Sequence, residues 1–118
     1  PVSPDDMLPA IAQGAIGIDR RARDDRAAAL LAAIHDHPTG QRLAAERALL
    51  RALDGSCQTP IGGLAELTPQ GLRLRGEILR PDGSAVLADE GAAPVADGPA
   101  LARDMAARLL DRAGPGFF

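Results

Sequence analysis

Between Pro69-Gln70-Gly71 and Pro81-Asp82-Gly83, Leu72, Leu74, Gly76 and Ile78 alternate with Arg73, Arg75 and Glu77. A period of two marks a strand with one packed face and one wet face, and proline and glycine at both ends supply the chemistry of chain reversal. The run therefore predicts the middle strand of an antiparallel meander, Leu72 to Arg80, with outer strands over about Gly63 to Leu67 and Ala85 to Asp89.

Helical spacing flanks the meander. Asp24 or Asp25 is a suitable N-cap for a helix running to about Ile34, with Ala27, Leu30, Leu31 and Ile34 on one face. His35-Asp36-His37-Pro38 breaks that pattern, and a second helix is expected to start after Thr39, a cap candidate, and to end near Asp54, burying Leu43, Leu49, Leu50 and Leu53. Glu46 interrupts the apolar face of this helix. It is expected either to be buried in an ion pair with an arginine that holds the following loop in place, or to reach a substrate. Ala92 to Gly98 reads as a loop. A last helix begins near Pro99 and ends before Gly114-Pro115, with Leu101, Ala102, Met105, Ala106 and Leu109 on one stripe. The expected fold is α+β, an open three-stranded antiparallel sheet covered on one face by helices, in the order helix, helix, strand, strand, strand, helix.

Upstream, Gln13 to Ile18 is apolar and contains glycine, so it reads either as a strand or as a loop marked by Gly14 and Gly17. Residues 1 to about 22 are accordingly expected to be a tail, mobile or paired with another chain, ahead of a domain over residues 23 to 118.

A length of 118 residues fits one domain. Hydrophobic residues make up 46% of the chain, yet its two aromatics are both at the end, Phe117 and Phe118, so leucine, alanine, isoleucine and valine must build the core. All 13 basic residues are arginine, the net charge is −3 and the isoelectric point is near 5.2. Arg20, Arg21, Arg23 and Arg26 are interleaved with Asp19, Asp24 and Asp25, which is the pattern of a mixed surface and not of a nucleic-acid footprint. Arg73 and Arg75 could grip carboxylates or form a solvated face. No apolar run is long enough to span a membrane and no secretory pattern is present, so the expected location is cytoplasmic.

Cys57 is the only cysteine. It cannot form an internal disulfide, and no second cysteine or well-spaced histidine pair completes a metal site; His35 and His37 precede a proline in a turn. Its use is therefore packing, nucleophilicity or covalent attachment. The cysteine lies past the end of the second helix, with Gly55 expected as a left-handed cap. The negative end of the helix dipole does not favour thiolate there, which counts against a protease-like or redox nucleophile.

The run Asp54-Gly55-Ser56-Cys57-Gln58-Thr59-Pro60-Ile61-Gly62, with Ala45-Glu46-Arg47-Ala48-Leu49-Leu50 before it, resembles the cofactor-attachment segment of the porphobilinogen deaminase family, also called hydroxymethylbilane synthases. Met7-Leu8-Pro9-Ala10-Ile11-Ala12-Gln13-Gly14-Ala15-Ile16-Gly17-Ile18 is similar to the stretch that leads into this region, and Arg80-Pro81-Asp82-Gly83-Ser84 matches a late hairpin. Three motifs in the expected order cover nearly the whole chain. Departures are Ala12 in place of glycine, Asp19-Arg20 in place of Glu-Cys, and Thr59 in place of valine.

The resemblance implies the third domain of a transferase that joins four porphobilinogen molecules with loss of ammonia and releases hydroxymethylbilane. It implies that Cys57 holds a dipyrromethane primer through a thioether, as an anchor and not as a general base. In that family the catalytic aspartate and most of the cations that grip the pyrrole acids come from the first two domains of a monomeric enzyme. The chain is thus expected to be a C-terminal fragment, with no catalytic residue and no metal of its own, empty at Cys57 and inactive alone. Its partners would be porphobilinogen, the growing pyrrole chain and the N-terminal domains of the same polypeptide. The alternative is a non-catalytic interaction or scaffold domain that retains the fold; a thiol-redox module lacks a resolving cysteine.

Overall fold

The structure is a computed structural model in which residues 1–55 and 59–118 are described. Helix α1 spans Asp25–Ala32 and α2 spans His37–Ala52; strands β1 (Ile61–Thr68), β2 (Gly71–Leu79) and β3 (Val86–Ala93) follow, then a single 3₁₀ turn over Val95–Asp97 and helix α3 (Gly98–Ala113). The strands form one antiparallel sheet in the order β1-β2-β3, with Ile61 opposite Ile78 and Leu72 opposite Ala93. This is the α+β meander with helices on one face that the alternating run requires.

The boundaries differ from expectation in two instructive places. Helix α2 begins two residues before Thr39: Asp36 is its N-cap, accepting a hydrogen bond from the Thr39 amide at 3.0 Å, and Pro38 sits in the first turn, where a missing N–H costs nothing. The residues read as a helix breaker therefore start the next helix. Strand β3 runs on to Ala93, through residues that lack strand-forming side chains, because its backbone completes the ladder with β2 along its whole length.

Helices α2 and α3 pack against each other and against the sheet. Ala45, Leu49 and Leu53 from α2 and its C-cap, Ala65, Leu72, Leu74 and Ile78 from the sheet, and Ala102, Met105, Ala106 and Leu109 from α3 are buried. Gly76 makes this close approach possible. A Cβ there would lie 2.8 Å from Leu49 Cδ2 and 3.0 Å from Met105 Sδ, so side chains of both helices occupy the space that any other residue would fill. Phe117 closes one end of the core, buried and with the Arg80 guanidinium 5.5 Å from its ring centroid.

The N-terminal segment meets the same chain's β1. The Gly63 amide donates to the Pro9 carbonyl at 2.9 Å, Ala10 forms an antiparallel bridge with Gly62, and Asp5 reaches Arg75 across the outer face of the sheet. Gln13 to Ile18 is not a strand. Ala12 and Gly14 take positive φ values of 62° and 82°, which turn the segment away from the sheet edge after this brief pairing.

Candidate functional site

Cys57, with Ser56 and Gln58, lies outside the described residues; the frame on either side of it is described. On the upstream side, the Leu53 amide donates to Leu49 O at 3.0 Å and the Gly55 amide to Leu50 O at 2.9 Å. The left-handed residue that ends α2 is Asp54, with φ 51°, and not Gly55. Aspartate is among the few residues that tolerate this conformation. Gly55 is closely packed: a Cβ would lie 2.5 Å from Ile61 Cδ1 and 2.6 Å from Leu50 Cδ1, so a larger residue would have to displace the ends of both side chains. The chain thus leaves the helix pressed against the start of β1. Downstream, the Pro60 carbonyl accepts from the Leu79 amide at 2.9 Å, which ties the return of the loop to the last residue of β2. Both ends of the cysteine loop are held by backbone hydrogen bonds to the packed domain.

Glu46 is 6% exposed and is the one buried charged residue among those described. Among the described residues no arginine pairs with it. Instead Oε2 accepts from the Ala12 amide and Oε1 from the Ala65 amide, each at 2.9 Å. Ala65 lies on β1, whose outer edge has no neighbouring strand among the described residues, so the carboxylate satisfies a donor that the sheet leaves open. One side chain from α2 thereby fixes the free edge of β1 and the N-terminal segment together. Sequence reasoning identified Glu46 as buried and polar but sought a cation for it; backbone amides serve a carboxylate equally well and leave no trace in side-chain patterning.

Arg73 and Arg75 lie on the outer face of the sheet. Arg73 pairs with Glu90 at 2.7 Å and more loosely with Glu66 at 3.8 Å, and the hydrogen bond that its guanidinium donates to the Glu90 carboxylate holds it above the usual arginine value. Arg75 is not the solvated residue that alternation suggests: its side chain is 14% exposed, covered by the N-terminal segment and paired with Asp5 at 2.7 Å and Glu66 at 3.2 Å. His35 and His37 stack edge to face with centroids 4.9 Å apart. Among the described residues no group of three or more histidines, cysteines or acids is placed to hold a metal ion.

Residues 41–111 match the family model described as "Porphobilinogen deaminase, C-terminal domain", a span that takes in most of α2, the cysteine loop, the whole sheet and most of α3. The chain belongs to the porphobilinogen deaminase family. It is 62% identical over 117 residues to the porphobilinogen deaminase of Paracoccus denitrificans, covering 99% of this chain and 37% of that protein. It is 47% identical over 120 residues to the chloroplastic porphobilinogen deaminase of Pisum sativum (99% of this chain, 32% of that protein), and 45% identical over 114 residues to the enzyme of Nitrobacter hamburgensis (97% and 36%). The chain spans about a third of the length of these curated relatives, at most 37%. Among the described residues no helix is long and apolar enough to cross a membrane.

The described residues on either side of Cys57 form a base held by backbone hydrogen bonds, from Gly55 to Leu50 O and from Leu79 to Pro60 O.

Proposed function

We propose that the chain is the C-terminal, cofactor-attachment part of an enzyme that condenses porphobilinogen into hydroxymethylbilane, and that Cys57 carries a dipyrromethane through a thioether. What carries the reading is the 62% identity over 117 residues to a porphobilinogen deaminase. When bound, the dipyrromethane supplies the pyrrole end to which further units are joined. The protein's own contribution from this part is positional. Cys57 is the point of attachment; the backbone ties at Gly55 and Pro60 fix the base from which the tether extends; Glu46 fixes the neighbouring strand edge. A thioether needs a soft sulfur and no general base, which agrees with a cysteine that follows a helix C-terminus.

On this reading residues 1–22 are the tail of the preceding domains and residues 23–118 the attachment domain of a monomeric cytoplasmic transferase, and the catalytic carboxylate belongs to the N-terminal part. The test is the intact mass of the enzyme purified with its N-terminal domains. A mass excess matching a dipyrromethane, located on the peptide that contains Cys57 and absent from a folded Cys57→Ser variant, is the expected result. A full-length protein of unmodified mass that still forms the tetrapyrrole would overturn it.

A further inference from the structure

On the side of α2 turned away from the sheet, a groove of about 510 Å³ runs between α2 and α3. Ala44 and Ala48, one helical turn apart, line it together with Arg47, Arg51, Arg103 and His35. A smaller recess of about 190 Å³, lined in part by Ala48, Arg51 and Arg103, continues it toward the end of α2. Among the described residues, none of these three arginine side chains makes an ion pair or a hydrogen bond, whereas Arg73, Arg75 and Arg108 are each paired with a carboxylate.

No acidic residue lies three or four positions from Arg47 or Arg103. Arg47 and Arg51 are a turn apart on one helix, a like-charge spacing that destabilises by a few tenths of a kcal/mol. The residues three and four positions from Arg103 are Pro99, Ala100, Ala106 and Ala107, and Asp54, three residues beyond Arg51, makes no ion pair with it. Three exposed arginines and two alanines thus line one groove, in a chain with a net charge of −3. Guanidinium forks match carboxylates in pairs, and small side chains beneath them leave room for the ligand's body.

We propose that the α2–α3 groove binds a multivalent carboxylate through Arg47, Arg51 and Arg103. Two sources share that chemistry: the acetate and propionate arms of pyrroles, given that α2 leads directly into the cysteine loop, or a free polycarboxylate acting as an effector. The pyrrole source rests on the function proposed above; the groove itself does not.

The probe is citrate, titrated into the isotopically labelled chain and followed by NMR. Saturable shifts of the Ala44 and Ala48 methyl groups and of the Nε–H groups of the three arginines are expected, weakening as salt rises. The Arg47→Gln/Arg103→Gln double variant should lose at least about tenfold in affinity, the loss expected when charge-assisted forks are removed. Arg73→Gln and Cys57→Ser should bind citrate unchanged, so a failed attachment claim and a failed groove remain separate results. Shifts that are linear and spread over all arginines, or a folded double variant with undiminished affinity, would overturn the proposal. Repeating the titration with porphobilinogen distinguishes the sources: saturable shifts at the same groups name the pyrrole acids, binding of citrate alone names a free polycarboxylate, and either supports the site.

Discussion

Helices α1 and α2 are neighbours in sequence and each opens on an aspartate that accepts a backbone amide, Asp24 from Ala27 at 2.8 Å and Asp36 from Thr39 at 3.0 Å. Beyond that they diverge. Helix α1 has the cleaner apolar stripe but no buried residue; Leu30 is 65% exposed, and Ile34, past the helix end, is 70% exposed. Helix α2 has a stripe interrupted by a carboxylate and a first turn of histidine, proline, threonine and glycine, yet it contributes Ala45, Glu46 and Leu49 to the interior. The stripe of a helix says only what it could bury. What it does bury depends on a surface to receive it, and α2 has the sheet and α3 where α1 has neither.

The largest effect that tests this contrast is truncation of Leu49, which is fully buried and fills the space left by Gly76. Leu49→Ala should lower the stability of the domain by about 3 kcal/mol, seen as a shift of the urea midpoint with little change in slope. A loss below about 1 kcal/mol would mean that α2 is not part of the cooperative core. Glu46→Gln comes next. The amide keeps one acceptor but turns a donor toward a backbone N–H, so about 2 kcal/mol should be lost. Hydrogen exchange should show faster exchange at the amides of both Ala12 and Ala65, the two donors that the carboxylate now satisfies. Acceleration at Ala65 alone would show that the N-terminal segment is held by other contacts.

The meander was legible because a period of two, bounded by Pro-Gln-Gly and Pro-Asp-Gly, leaves the chain few options. The helix ends were less so. Asp54 and not Gly55 takes the left-handed turn after α2, and Gly55 instead packs closely against the Leu50 and Ile61 side chains, a contact that sequence spacing does not show. Glu46 could be marked as anomalous but not assigned, because its partners are peptide groups 34 and 19 residues away. The arginine groove was hidden for a related reason: Arg47 and Arg103 are brought together only by the packing of α2 on α3, and an acidic total charge says nothing about where the cations gather. At the thiol loop the position of Cys57 in a recognisable motif was available from sequence, and its flanking ties at Gly55 and Pro60 were not.

At the other end of the scale, Leu30→Ala on α1 should change global stability by less than about 0.5 kcal/mol, since an exposed leucine on an unpacked helix has little to lose. The same leucine-to-alanine change would thus differ several-fold between adjacent helices. Equal losses at Leu30 and Leu49 would remove the distinction between them.

The smallest expected effect uses the caps themselves. The Thr39 hydroxyl and then its amide hold the Asp36 carboxyl below its ordinary value of 3.8. A carboxylate whose pKa is lower folded than unfolded contributes stability that is complete above the unfolded value and is lost as pH falls through the folded one, so the effect is confined to pH below about 4. Asparagine is a cap of similar quality that does not titrate, so the stability difference between the native protein and Asp36→Asn should be constant from about pH 7 to 5 and move toward the variant as acid neutralises the native cap. Because α2 belongs to the packed core, this should appear in the global unfolding transition. Asp24→Asn at α1 should leave that transition unmoved and alter only local exchange in α1, and a global response at α1 equal to that at α2 would show that the two helices unfold as one.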